Sequence, residues 1–232
     1  MRYPGGKGRC YQHIISVMPK HRVFIETHLG GGAILRHKRP AAVNIGVDID
    51  KCVISTWQAM ARSDLSLFEA DACHFLRSYR FQGDELVYCD PPYLHETRRR
   101  QRIYRFEYSR QQHIDLLNVL LTLPCGVLVS GYRSQLYDTM LSGWRSMEFW
   151  GDSHTGPRKE VVWMNFDPPA LLHDHSHLGA DFRARETIKR RRRGLLSRVA
   201  SLSAAERQAL FVDLAVAHLA EMEQALKVGC DE

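Results

Sequence analysis

The six cysteines of this 232-residue chain, Cys10, Cys52, Cys73, Cys89, Cys125 and Cys230, stand singly, with no C-x-x-C pair. That excludes a zinc ribbon or a dithiol redox motif and suits reduced thiols in a cytoplasmic protein. No apolar run approaches the ~20 residues a membrane span needs. The opening MRYPGGKGRC lacks the apolar stretch of a signal peptide. Neither secretion nor membrane insertion is expected. The chain also lacks an internal repeat, a G-x-G-x-x-G fingerprint and any low-complexity segment apart from a run of Lys and Arg at 189–193.

What the chain does have is charge in two places. The formal net charge is +6, which alone says little about partners. Residues 98–110 (RRRQRIYRFEYSR) hold six Arg against one Glu, and residues 183–198 (RARETIKRRRRGLLSR) hold eight basic residues against one Glu. These local charges of +5 and +7 leave the remainder at −6. An acidic protein with two basic patches has the layout of something that grips a phosphate backbone at chosen places.

Short Val- and Ile-rich runs recur, each followed by a stretch with helical character: RVFIE then AILRHK, AVNIGVDID then VISTWQAMARS, ELVYCD, and GVLVSGY then SQLYDTML. That alternation predicts an α/β fold with a mostly parallel sheet. Ile114, Leu117, Leu120 and Leu121 share a face of a helix that begins near Ser109 and stops at Pro124. Two later apolar runs, SMEFWG and KEVVWMNF, flank a turn-rich DSHTGPR, which predicts an antiparallel strand pair added to the sheet. The main domain is expected over 1–169, with a basic recognition loop at about 94–110, a polar linker at 170–182 and a basic helical tail at 183–232. Ser203 and Glu206 form a capping box ahead of Leu210, Phe211, Leu214, Ala217, His218, Met222 and Leu226 at helical spacing. A continuous helix from Ser203 to Val228 would run about 39 Å at 1.5 Å per residue. Packing on its own core, a second nucleic-acid contact and a dimer interface all suit this tail. A twofold dimer would match a palindromic site, and the tail is expected to form one. His173, His175 and His177 alternate in the linker but read as a His-rich polar segment, so no metal is expected. Trp57, Trp144, Trp150 and Trp163 read as buried or half-buried packing residues.

The most specific local signal is Asp90-Pro91-Pro92-Tyr93 at the end of the apolar strand Leu86–Cys89. Ligands of open α/β sheets bind at the carboxyl ends of strands. The prolines remove N–H donors, which leaves the Asp90 carboxylate and the Pro91 carbonyl as acceptors beside the flat face of Tyr93. An amino group on a planar ring suits this set: two N–H groups meet two oxygens, the ring stacks on Tyr93, and the nitrogen lone pair stays free. Upstream, Leu29-Gly30-Gly31-Gly32-Ala33 makes a glycine-rich turn before a helix. Asp48 follows Gly32 by sixteen residues, at the end of the next strand, where an acid can hold ribose hydroxyls. By themselves the turn and the acid suit a dinucleotide equally.

Five motifs in order, Arg2-Tyr3-Pro4-Gly5-Gly6-Lys7, Glu26-Thr27-His28-Leu29-Gly30-Gly31-Gly32, Val47-Asp48-Ile49-Asp50, Asp90-Pro91-Pro92-Tyr93 and Ser130-Gly131-Tyr132, resemble the Dam-like class of adenine-specific DNA methyltransferases. The resemblance covers about residues 2–166. It implies a Rossmann-like methyltransferase sheet and S-adenosylmethionine as cofactor. Tyr3, Lys7, Leu29, Gly30, Gly32, Asp48, Asp71 and Asp90 would then line the cofactor site. Lys7 would oppose the methionine carboxylate, Asp48 would hold the ribose, and Asp71 would lie near the adenine. Asp90, Pro91, Pro92 and Tyr93 would be the catalytic tetrapeptide, and Ser130 to Tyr132 a wall of the target pocket. Thr27-His28 replaces the Pro-Phe usual in that class.

The implied reaction is methyl transfer to the 6-amino group of adenine in double-stranded DNA, with the base flipped out of the duplex. Only eighteen residues separate Asp71 from Asp90, too few for the recognition domain that such enzymes often insert there. Site reading therefore falls to the first basic segment, with Arg98, Arg99, Arg100, Arg102 and Arg105, and Tyr132 and Arg133 are expected to contact the DNA. Lys189, Arg190 and Arg191 offer a second backbone contact. Such a protein would lie at the nucleoid in the cytoplasm. The cytosine 4-amino group fits the same acceptors. An inactive DNA-binding protein on this fold and, further off, a nicotinamide-dependent oxidoreductase are the other readings.

Overall fold

The computed structural model describes residues 6–60, 62–98, 103–153 and 156–229, with backbone alone at 152, 153, 156, 157 and 227–229. Seven strands form one sheet: β1 (Val23–Glu26), β2 (Val43–Asp48), β3 (Leu65–Glu69), β4 (Glu85–Cys89), β5 (Gly126–Gly131), β6 (Arg145–Ser153) and β7 (Gly156–Met164). Their order is β3-β2-β1-β4-β5-β7-β6. The contacts among β1 to β5 are parallel, and β7 runs antiparallel to both β5 and β6. This is a Rossmann-like sheet whose late hairpin folds back so that β7, not β6, docks against β5.

The central strands are apolar on both faces because both faces are covered. Every residue of β1 and β4 is buried. Side chains alternate across the sheet, so Ile25, Val87 and Val127 join one core while Phe24, Leu86 and Leu128 join the other. The first core takes in α4 (Ala72–Ser78), α5 (Arg110–Leu121) and α6 (Gln135–Met140). The second takes in α1 (Tyr11–Ile15), α2 (Ala33–His37) and α3 (Lys51–Gln58). In α5, Ser109 and Gln112 complete a reciprocal capping box, which sets the start of that helix. Truncating a side chain such as Leu86, fully buried, would cost about 2–5 kcal/mol.

Chain order reverses between β1 and β4: from β1 the chain moves outward through β2 and β3, then returns to β4 on the other side. Crossovers diverge there and leave a crevice above the carboxyl ends of β1 and β4.

Expectations about the later chain change in three places. Residues 170–182 were expected to form a polar linker, but their start lies against the body: His173 and Asp174 are buried. His173 stacks on His21 with ring centroids 3.8 Å apart, its N–H donates to the Met18 carbonyl at 3.0 Å, and Asp174 accepts the Arg39 N–H at 2.9 Å. Trp150 was expected to pack and is 65 % exposed. Beyond the anchor, α7 (Phe182–Ser201) and α8 (Ala204–Gly229) form the tail. The Ser203–Glu206 capping box is present, but α8 is kinked at His218 rather than straight. Neither helix packs on the body core: α7 buries no residue, and Phe211, Val212, Val216 and Leu219 of α8 are exposed.

Candidate active site

The crevice is an open cleft whose lining includes Lys7, Glu26, the glycine turn, Asp48, Asp71 and Asp90. The glycine turn forms its floor. Gly30 and Gly32 have φ of 43° and 53°, the left-handed region that suits glycine. A Cβ on Gly32 would also run into the Trp57 ring. Two neighbours fix the turn: the Trp57 indole N–H donates to the Gly30 carbonyl at 2.9 Å, and the Gly30 N–H donates to Asp48 at 2.8 Å. The other Asp48 oxygen accepts the Asp50 N–H at 2.8 Å. Each oxygen keeps acceptor capacity on the cleft side. Burial raises the Asp48 pKa above its usual value. Asp71 lines the cleft and caps α4, accepting the His74 N–H at 2.9 Å.

Asp90 stands at the end of β4. Both its oxygens lie 2.6 Å from Lys7 Nζ, and the Lys7 side chain is 4 % exposed. Burial opposes charge on Lys7, but Asp90 and Glu160 outweigh it and hold the pKa well above the usual amine value. Lys7, expected to oppose a ligand carboxylate, is thus paired with Asp90 in this structure. Glu160 Oε2 is 3.5 Å from the same ammonium and accepts the Tyr93 hydroxyl at 2.7 Å. The Tyr93 ring is 7 % exposed, with Lys7 Nζ 4.9 Å from its centroid and Tyr132 edge-on at 4.6 Å. Arg158 lies over Tyr132 at 4.3 Å and donates to the Thr97 carbonyl at 2.9 Å. Ser130 is not a pocket wall: it is fully buried, 3.0 Å from the Tyr88 hydroxyl.

His28, at the position where Phe would be usual, lines the cleft with both ring nitrogens partnered, to Thr27 Oγ1 and to the Tyr108 hydroxyl at 3.0 Å each. Burial drives its pKa down to about 3, so the ring is neutral and serves as a flat wall. Glu26, 3 % exposed at the end of β1, accepts the Leu35 N–H at 3.0 Å. Its pKa is raised to about 8, chiefly by burial.

The first basic segment behaves differently from the expectation. Arg98 does not face solvent: its side chain is 3 % exposed and forms a two-point ion pair with Glu107 at 2.5 and 3.2 Å. Glu107 also accepts the N–H groups of Ile103 and Tyr104. The closed loop turns Tyr104, Phe106 and Tyr108 into the cleft. Arg105 is 62 % exposed and pairs with Asp50 at 3.1 Å. Arg133 is tied to Asp138 and Glu148. Lys189 pairs with Glu186, while Arg190 and Arg191 are exposed on α7. Tyr3, Arg99, Arg100 and Arg102 lie outside the described residues.

Glu26, His28, Glu160, Tyr104, Phe106 and Tyr108 were not assigned from sequence. The alternation Tyr104-Phe106-Tyr108 was a signal for the last three, since every second residue of an extended segment shares a side.

No protein-family model matches the chain, and no curated protein matches it in sequence. Solved structures similar to it include the 23S rRNA methyltransferase ErmE (10% identity, TM-score 0.47, 81% of this chain and 84% of that one). Others are a dimethyladenosine transferase from Plasmodium falciparum (10%, 0.45, 71% and 62%) and an rRNA methylase from Streptococcus thermophilus (9%, 0.43, 66% and 92%). Likeness at this level says nothing about substrate or residue roles.

Proposed function

We propose that the protein transfers a methyl group from S-adenosylmethionine to the 6-amino group of adenine in double-stranded DNA, the base being flipped into the cleft. The observation that carries this reading is the placement of Asp90-Pro91-Pro92-Tyr93 at the reversal of strand order, where Asp90 and Pro92 line the cleft floored by Gly30–Gly32 and Tyr93 lies buried behind them. The residues present fit the cofactor. The glycine turn admits close approach, Asp48 and Asp71 offer acceptors, and Leu29, Ile49, Phe106 and Tyr108 supply apolar walls. When bound, S-adenosylmethionine supplies an electrophilic methyl group on a sulfonium sulfur, and the sulfur keeps the bonding pair as a neutral thioether.

The chain's residues do the positioning. Asp90 and the Pro91 carbonyl accept the two amine N–H groups, which favours a pyramidal nitrogen with its lone pair directed at the methyl group. As the N–C bond forms, positive charge develops on nitrogen beside Asp90. The proton then lost from nitrogen has the Asp90 carboxylate as its acceptor and passes to water as the site opens. Exposed Arg190 and Arg191 on α7 serve as phosphate contacts. The apolar side chains of α8, left open by the body, pair with those of a second copy, which would set two clefts on a palindromic site.

The test is incubation with methyl-labelled S-adenosylmethionine and duplex DNA, single-stranded DNA or RNA, followed by digestion to nucleosides. Label in 6-methyladenosine's deoxy form from duplex DNA is expected, and Asp90→Ala should abolish it. Label in 4-methylcytosine, label only in RNA, or no transfer by folded protein would each overturn the assignment.

A further inference from the structure

Among the described residues, Lys7, Asp90 and Glu160 cluster at the head of the cleft: Lys7 lies 2.6 Å from both oxygens of Asp90 and 3.5 Å from Glu160. If Asp90 and Lys7 stood alone, their charges would cancel, and a neutralised carboxylate is a poor partner for an amine that gains positive charge on attack. Glu160 changes that sum, because the trio keeps one net negative charge. It is also fixed in place. Its Oε2 accepts the Tyr93 hydroxyl at 2.7 Å. Its other oxygen lies over Gly151 on β6, where any Cβ would strike it. Glu160 is 8 % exposed and is followed on β7 by the buried Val161, Val162 and Trp163. A carboxylate there loses hydration and needs a reason to be charged.

We propose that Glu160 is a positioning residue of this site: it shares the Lys7 ammonium with Asp90 and anchors the Tyr93 hydroxyl, so that Asp90 presents net negative charge to the cationic centre of the reaction. This rests on the function proposed above. Lys7 moves toward Glu160 as Asp90 takes up the target amine, and Tyr93 stays fixed through the exchange. Glu160 touches neither reacting atom.

The test compares binding of S-adenosylmethionine with binding of S-adenosylhomocysteine, the neutral thioether, by calorimetry on the full chain without DNA. Glu160→Gln keeps an acceptor for the Tyr93 hydroxyl and removes the charge. It should lower the preference for the sulfonium form by about tenfold, the size of one unit charge acting across a partly screened pocket. Its single-turnover transfer rate should fall at least as far. Glu160→Asp keeps the charge and should restore most of the preference, which covers the case of a Gln variant that folds poorly. Tyr93→Phe removes the hydroxyl and keeps both charges, so it should lower the preference by much less than Glu160→Gln does.

An unchanged preference in folded Glu160→Gln would overturn the proposal. So would a Tyr93→Phe variant that loses as much, since Glu160 would then be a ring anchor only. If the unaltered protein binds neither ligand, the function proposed above fails and this inference falls with it. If it binds and transfers normally while Glu160→Gln does the same, Glu160 alone has been misassigned.

Discussion

The two basic segments are nearly equal in composition and differ in how they meet their lone acid. Among the described residues 98 and 103–110, Glu107 gathers Arg98 and two backbone N–H groups, and Tyr104, Phe106 and Tyr108 line the cleft, while Arg105 and Arg110 stay exposed. In 183–198, among the described residues, the lone acid Glu186 pairs with Lys189, and α7 buries nothing. Local charge therefore does not decide whether arginines face a partner. What decides is whether an acid and an apolar face stand where the segment can close on them. The +5 segment contributes Tyr104, Phe106 and Tyr108 to the cleft lining, and the +7 segment stays exposed along α7.

The largest effect that would break this contrast comes from Arg98→Ala. It leaves Glu107 without its buried cation, at a cost of about 3 kcal/mol, and frees the loop bearing Tyr104, Phe106 and Tyr108. Denaturant unfolding should show that loss, and S-adenosylhomocysteine affinity should fall about tenfold or more. Unchanged stability would mean that the ion pair does not organise the loop. Arg105→Ala, at a side chain 62 % exposed, should change stability by less than about 0.5 kcal/mol.

A second, more selective effect is expected from α7. Changing Arg190, Arg191, Arg192 and Arg193 together to Ala should leave unfolding and cofactor binding alone while weakening duplex binding. The slope of log affinity against log salt should then shrink by about 0.9 for each phosphate that the helix no longer neutralises. An unchanged slope would remove α7 from the DNA interface. Val216→Glu on α8, at a side chain 83 % exposed, should leave the fold intact and shift sedimentation from dimer to monomer. A species unaltered by that change would end the pairing proposed for α8.

Much of this was readable beforehand, for a physical reason. Strands buried on both faces must be apolar throughout, so β1, β2, β4 and β5 showed as Val- and Ile-rich runs, and the acid and prolines ending β4 stood out against them. β3 did not stand out: as an edge strand it leaves Phe68 44 % exposed, and Leu65–Glu69 has no continuous apolar run. α4, only seven residues long, was equally quiet. Glu160 was hidden for another reason. A single acid inside KEVVWMNF reads as a solvent-facing residue until β7 is known to lie inside the sheet, between β5 and β6. Likewise nothing local to RRRQRIYRFEYSR tells Arg98, which is buried, from Arg105, which is not; the difference depends on which of them Glu107 can reach.

The smallest effect concerns pH and isolates the same difference. Burial works to raise the Glu107 pKa, but hydrogen bonds from Arg98, Tyr104 and Ile103 outweigh it and bring the value down to about 2. The folded state thus binds its proton later than the unfolded chain, whose Glu titrates near 4.3. The stabilisation is complete above that unfolded value and is lost as pH falls toward about 2. The melting temperature of the unaltered protein should therefore fall more steeply between about pH 4.5 and 3 than that of Glu107→Gln. Parallel curves for the two would mean that Glu107 is not engaged as its ion pair and backbone hydrogen bonds imply, and the contrast between the two basic segments would lose its energetic basis.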